Sequence, residues 1–140
     1  MKNTTVTLPT PTDTLADKMH RGEWMSVDCP GRAVLRHLTS RWGVLLLIAL
    51  QDGTQRFSDL RRKVKGVSER MLAQTLQQLE CDGMLMRTEY RVVPPHVEYS
   101  LTDLGCQAAH RVRSLADWVE GVMPQIEQYR TSNDGPGSNQ

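Results

Sequence analysis

Residues 56–101 read RFSDLRRKVKGVSERMLAQTLQQLECDGMLMRTEYRVVPPHVEYSL. Ser58 is a candidate N-cap for a helix over 59–65, because its hydroxyl can accept from a free N–H of the first turn. Gly66 can take the left-handed conformation that ends such a helix. Ser68 and Gly83 repeat the arrangement around a second helix over 69–82. Neither serine has Glu or Gln three residues on, so the reciprocal capping box is missing. Two short helices across the turn Gly66-Val67-Ser68 have the spacing of a helix-turn-helix. Two β-prone runs follow, 84–93 and 96–101, and Pro94-Pro95 forces a rigid, exposed tip between them. A hairpin placed there is a wing.

Within 69–82, Leu72, Leu76 and Leu79 share one side at helical spacing. Rotation by 100° per residue puts Arg70, Gln74, Gln77 and Gln78 opposite, with Met71 and Cys81 at the edges. Gln can bond adenine bidentately and Arg can do so with guanine, so this face is suited to base edges. It is equally the composition of an ordinary exposed helix, since Gln is a good helix former. The preceding helix offers Arg61, Arg62 and Lys63 for phosphates, which position a protein without specifying sequence. Across 56–65, Arg56, Arg61, Arg62, Lys63 and Lys65 stand against Asp59 alone, a local charge of +4. Across 114–140, Asp117, Glu120, Glu127 and Asp134 stand against Arg130, a local charge of −3. A basic centre and an acidic end suit contact with a polyanion on one face; two ordinary solvated faces would read the same.

Upstream, Pro30 fits the first turn of a helix, and Leu35, Leu38, Trp42, Leu45 and Ala49 recur at spacings of three and four. Asp52-Gly53 stops this stripe, which predicts one continuous core helix. Downstream, Thr102 can cap a long helix with Leu104, Ala108, Val112, Leu115, Val119, Val122 and Ile126 on one seam, and Pro124 is expected to kink or break its last turn. Ala108, Val112, Leu115, Val119 and Val122 therefore form a candidate dimerisation face, the alternative being packing on their own domain. The expected class is mainly α with a small β-hairpin wing: a winged helix-turn-helix domain with flanking dimerisation helices.

The 140 residues carry 39% hydrophobic and 24% charged side chains, which suits one globular domain. The expected divisions are a polar tail over 1–14, the domain over 15–130 with a short helix ended by Gly22, and a second tail over 131–140. No apolar run is long enough for a membrane span, and 1–14 lacks the apolar core of a signal peptide, so a cytoplasmic protein without membrane contact is expected. Three cysteines do not make a disulfide framework, and His20, His37, His96 and His110 lack metal-ligand spacing. Neither a metal nor another cofactor is expected. Phosphate-binding loops, nucleophile elbows and paired-carboxylate motifs are absent, which argues against an enzyme. Cys29 precedes Pro30, so its sulfur faces the positive end of a helix dipole, with Arg32 nearby and Asp28 opposing; it is either a reactive thiol or a small buried side chain.

Cys29-Pro30, Arg41-Trp42, the run Arg56-Phe57-Ser58-Asp59-Leu60 and the wing VPPHVEYSLT over 93–102 occur together, and on them the chain resembles the HxlR-type transcriptional regulators, a branch of the MarR-like winged-helix proteins. The likeness spans 24–126. It implies a homodimer on pseudo-palindromic double-stranded DNA, with 68–78 (Ser68, Arg70, Met71, Gln74, Gln77 and Gln78) in the major groove. It also implies that the wing, through Arg91, Pro94, Pro95 and His96, touches adjacent backbone or minor groove, and that Cys29 senses oxidants or electrophiles. Arg91, Val92 and His96 depart from the family pattern, in which Pro, an acidic residue and Lys or Arg are common. The operator, and any small-molecule effector, are not given by these residues. A winged helix that binds protein, or a ligand-gated MarR-like regulator, fits the same scaffold.

Overall fold

The computed structural model describes residues 14–23 and 29–134. The tail over 1–13, the segment 24–28 with Asp28, and 135–140 lie outside them. The order is α1 (Leu15–His20), α2 (Pro30–Thr39), α3 (Arg41–Leu50), β1 (Gln55–Arg56), α4 (Phe57–Lys63), α5 (Glu69–Cys81), β2 (Leu85–Tyr90), β3 (His96–Leu101) and α6 (Asp103–Asn133). Thr14 caps α1, and Gly22 (φ 75°) follows it as expected.

Where the stripe after Pro30 predicted one helix, the chain turns by 69° between α2 and α3. Ser40 is the hinge: its backbone is extended, and its Oγ accepts from Gly43 N–H at 3.1 Å while donating to His37 O at 2.9 Å. One serine thus ends α2 and starts α3, which hydrophobic spacing cannot register. The turn leaves Leu35 and Leu45 exposed, while Leu46, Leu47 and Leu50 form the floor of the core.

Around α3 pack Leu60 of α4, Leu72, Leu76 and Leu79 of α5, Leu85 of β2 and Ala108, Ala109 and Val112 of α6. Burying a leucine fully is worth about 1.5–3 kcal/mol, so these side chains decide where α5 sits. Helix α4 begins at Phe57, earlier than expected, because the Asp59 carboxylate accepts from Arg56 N–H at 3.2 Å and fixes the start in place of Ser58. It ends at Lys63, before Gly66, as buried Val64 turns into the core.

The wing is part of a three-stranded antiparallel sheet ordered β1-β3-β2. Strand β1, too short to show a strand pattern in the sequence, pairs its two residues with Tyr99 and Glu98 of β3. β2 stops at Tyr90, short of Val93, so 91–95 form the tip. The seam on α6 divides. Ala108 and Val112, expected at a dimer interface, are buried against their own domain, which corrects that assignment for these two. Their small size and that of Gly105 explain why: a Cβ on Gly105 would lie 1.9 Å from Met84 O, so α6 starts in contact with backbone. Pro124 neither stops nor breaks α6, which runs on to Asn133 through part of the expected tail. The hydrogen bond lost at Pro124 falls on exposed helix, where water can satisfy the carbonyl of Glu120. Thr131 and Ser132 hydroxyls bond back to the carbonyls of Glu127 and Gln128.

Candidate nucleic-acid interface

Helix α5 is built as a two-sided bar. Ser68 Oγ accepts from Met71 N–H at 3.1 Å, capping the N-terminus. Leu72, Leu76 and Leu79, with Thr75 bonded to Met71 O at 2.7 Å, occupy the buried side. Arg70, Gln74 and Gln77 are exposed on the other side, and Met71 is exposed on its flank. Gln78 is half-buried at the margin, so its amide is less available than those of Gln74 and Gln77. Cys81 is exposed and, eleven residues after Arg70, falls within about 20° of it, in the middle of the outer face and not at its edge.

The phosphate candidates are all exposed, and each meets a carboxylate. Arg61 pairs with Glu69 at 2.7 Å across the turn, Arg62 with Asp59, and Lys63 with Asp52 at 3.4 Å. The local +4 is therefore partly offset, since Glu69 and Asp52 come from outside that stretch. Exposed pairs of this kind contribute about 0–1 kcal/mol each and weaken with salt, so a phosphate can replace the carboxylate. The Arg56 N–H that Asp59 accepts is the main cause that lowers the Asp59 pKa below its ordinary value; desolvation opposes it, and the Arg62 guanidinium adds to the lowering.

At the wing, Arg91, Pro94 and Pro95 are exposed and Val93 is wholly so. His96 is not at the tip. It faces Tyr90 across the hairpin, their rings stacked at 4.8 Å, and its Nε2 lies 4.0 Å from Glu98. The Glu98 carboxylate accepts from Tyr90 and raises the pKa of that phenol. Arg87 was not singled out from the sequence. On β2 it donates to Glu89 at 2.7 Å and meets the Tyr99 hydroxyl, beside a groove of about 390 Å³ lined also by Ala73, Gln77 and Glu80. Its i, i+2 spacing to Glu89 was visible, but the approach of α5 to the sheet was not.

Cys29 is the N-cap residue of α2; it is half-buried, and its side chain makes no hydrogen bond to the helix end. Its carbonyl accepts from Arg32 and Ala33. Cys81 and Cys106 are exposed thiols. Among the described residues no group of His, Cys, Asp and Glu is arranged to hold a metal ion, and no single helix is long and apolar enough to cross a membrane. Beyond the Arg113–Gln51 hydrogen bond of 3.1 Å, α6 leaves the core. There Leu115 is 55% and Trp118 61% exposed, and Val119 and Val122 are half-buried. Helix α1 buries none of its residues and exposes Leu15 and Met19.

This geometry can be set against known proteins. The HTH-type transcriptional regulator YtfH of Escherichia coli (strain K12) is 59% identical over 112 residues, covering 80% of this chain and 89% of that protein. The structure of the transcriptional regulator ytfH from Salmonella typhimurium superposes with a TM-score of 0.73 at 63% identity, covering 76% of this chain and 96% of the other. The redox regulator HypR in its reduced form superposes with a TM-score of 0.65 at 35% identity, over 71% of this chain and 99% of that one. The HxlR-like helix-turn-helix family matches residues 37–127, which hold the Ser40 corner, the capped α5, the wing and most of α6. On that match and those relatives, the chain belongs to the HxlR-like helix-turn-helix family of transcriptional regulators.

Proposed function

We propose that the protein acts as a homodimer on a pseudo-palindromic operator, with α5 in the major groove and the wing against the flanking backbone. The observation that carries this reading is α5 itself: Leu72, Leu76 and Leu79 anchor one side, so Arg70, Gln74 and Gln77 stand outward together. Donors and acceptors fixed on a rigid helix are what base-edge readout requires. Arg61, Arg62, Lys63 and Arg91 then supply phosphate contacts, and the face Leu115, Val119 and Val122, joined by Trp118, supplies the partner contact. Two recognition helices on a two-fold axis read half-sites about 34–36 Å or a multiple apart. The chain regulates and does not catalyse.

Cys29 makes the regulator responsive to oxidants or electrophiles. It stands at the positive end of α2 and is half-buried, and a structural neighbour 35% identical to this chain is described as a redox regulator. The test is to sequence genomic fragments that co-purify with the protein, with and without diamide. A defined pseudo-palindromic set that diamide releases from wild type and not from Cys29→Ser is expected. Enrichment of no sequence refutes the DNA reading, and an unchanged response in Cys29→Ser assigns that thiol a structural role.

A further inference from the structure

Asp82 terminates α5 as its C-cap residue, and a carboxylate there gains nothing from the helix, whose C-terminal end is already the negative end of its dipole. Its partner lies 45 residues back in the chain. His37 Nδ1, on the last turn of α2, is 2.6 Å from Asp82 Oδ2, and the two side chains are only 19% and 14% exposed. This is a charge-assisted bond shielded from solvent, unlike the exposed pairs around α4.

His37 is itself held in place. Its carbonyl accepts from Ser40 Oγ at 2.9 Å. A Cβ on Gly43 would lie 2.1 Å from the same oxygen, so α3 packs directly on the His37 backbone. The α2–α3 corner, anchored through Leu46 and Leu47, therefore presents a fixed donor to the end of α5. On its other side that end is tied by the Thr102 hydroxyl, which donates to Gly83 O.

We infer that His37 is a positioning residue for DNA reading: through Asp82 it sets where the C-terminal half of α5, with Gln77 and Cys81, meets the bases. The inference rests on the assignment of α5 as the reading helix. Hydrogen bonds to base edges hold over a window of about 0.5 Å, so a helix end released from its tether loses discrimination before it loses its hold on phosphates.

The test starts from a randomised duplex library selected with the wild-type protein, the enriched duplex then being compared with a scrambled copy. His37→Ala and Asp82→Ala are each expected to lower the affinity ratio of enriched to scrambled duplex about tenfold, with the scrambled affinity unchanged, and the double variant to lose no more than either. His37→Asn, whose amide N–H can stand in for Nδ1–H, is expected to recover most of the ratio, which a loss of packing alone would not allow. If His37→Ala does not fold, His37→Phe, which keeps the ring and removes the donor, takes its place. An unchanged ratio in a folded variant, full additivity in the double, or no recovery by Asn overturns the role of His37. A wild type that enriches no sequence overturns the reading of α5 and this proposal with it.

Discussion

Replacing Leu115 tests the partner face of α6 quantitatively. Leu115 is 55% exposed in the single chain, so about half of a leucine's burial energy of roughly 1.5–3 kcal/mol is still to be gained. In a two-fold dimer both copies gain it, giving about 1.5–3 kcal/mol in total, of which Ala retains about a third. Leu115→Ala should therefore weaken the dimer by about 1–2 kcal/mol, or roughly 5–30-fold in Kd. Leu115→Asp adds the cost of placing two carboxylates in an apolar contact and should leave monomers at micromolar concentration. Neither change removes a core contact, since the helix leaves the core after Val112, so the folded monomer should melt as wild type does. Sedimentation equilibrium over a concentration series gives Kd, and thermal melts of the dilute protein give the monomer's stability. A wild type that sediments as a monomer at micromolar concentration refutes the dimer. A Leu115→Ala dimer within twofold of wild type refutes this face and moves the interface to exposed Leu15 and Met19 of α1.

On the DNA side, Gln74→Ala and Arg70→Ala should each weaken operator binding by about 1–3 kcal/mol and relax sequence choice, whereas Arg62→Ala should weaken all duplexes alike and reduce the salt slope by about one. Equal loss on operator and random duplex for Gln74→Ala would contradict its placement. Gly105→Ala should destabilise the fold by about 1–3 kcal/mol, because the added methyl meets Met84 O and neither backbone can yield; denaturant unfolding measures it, and wild-type stability would count against the close approach. Asp59 has its pKa lowered in the folded chain, so its contribution is present above the unfolded value near 3.8 and is lost as pH falls through the folded value. The difference in Tm between wild type and Asp59→Asn should accordingly be largest near neutral pH and vanish in strong acid, and a constant difference would exclude the linkage.

The signals that act within a few residues were legible in the chain. Ser68 and Thr102 cap their helices, Gly83 (φ 78°) follows α5, and Leu72, Leu76 and Leu79 are buried while Arg70, Gln74 and Gln77 are not. Capping and amphipathic spacing are interactions of a residue with neighbours at most four positions away, so they survive without knowledge of the fold. What tertiary structure decided is of another kind. The 69° corner at Ser40 lies inside a stripe whose spacing continues across it, and only the packing of α3 turns Leu45 out and Leu46 in. Strand β1, two residues long, exists because β3 lies beside it. Ala108 and Val112 share the heptad seam with Leu115, yet distance along α6 from the core, not their pattern, assigns them to the domain. Glu69 and Asp52 reach Arg61 and Lys63 from outside the 56–65 stretch, so the charge summed along the chain overstates what this surface offers. His37 and Asp82, 45 residues apart, carry no local sign of each other, because a hydrogen bond depends on distance in space and the sequence records only distance along the chain.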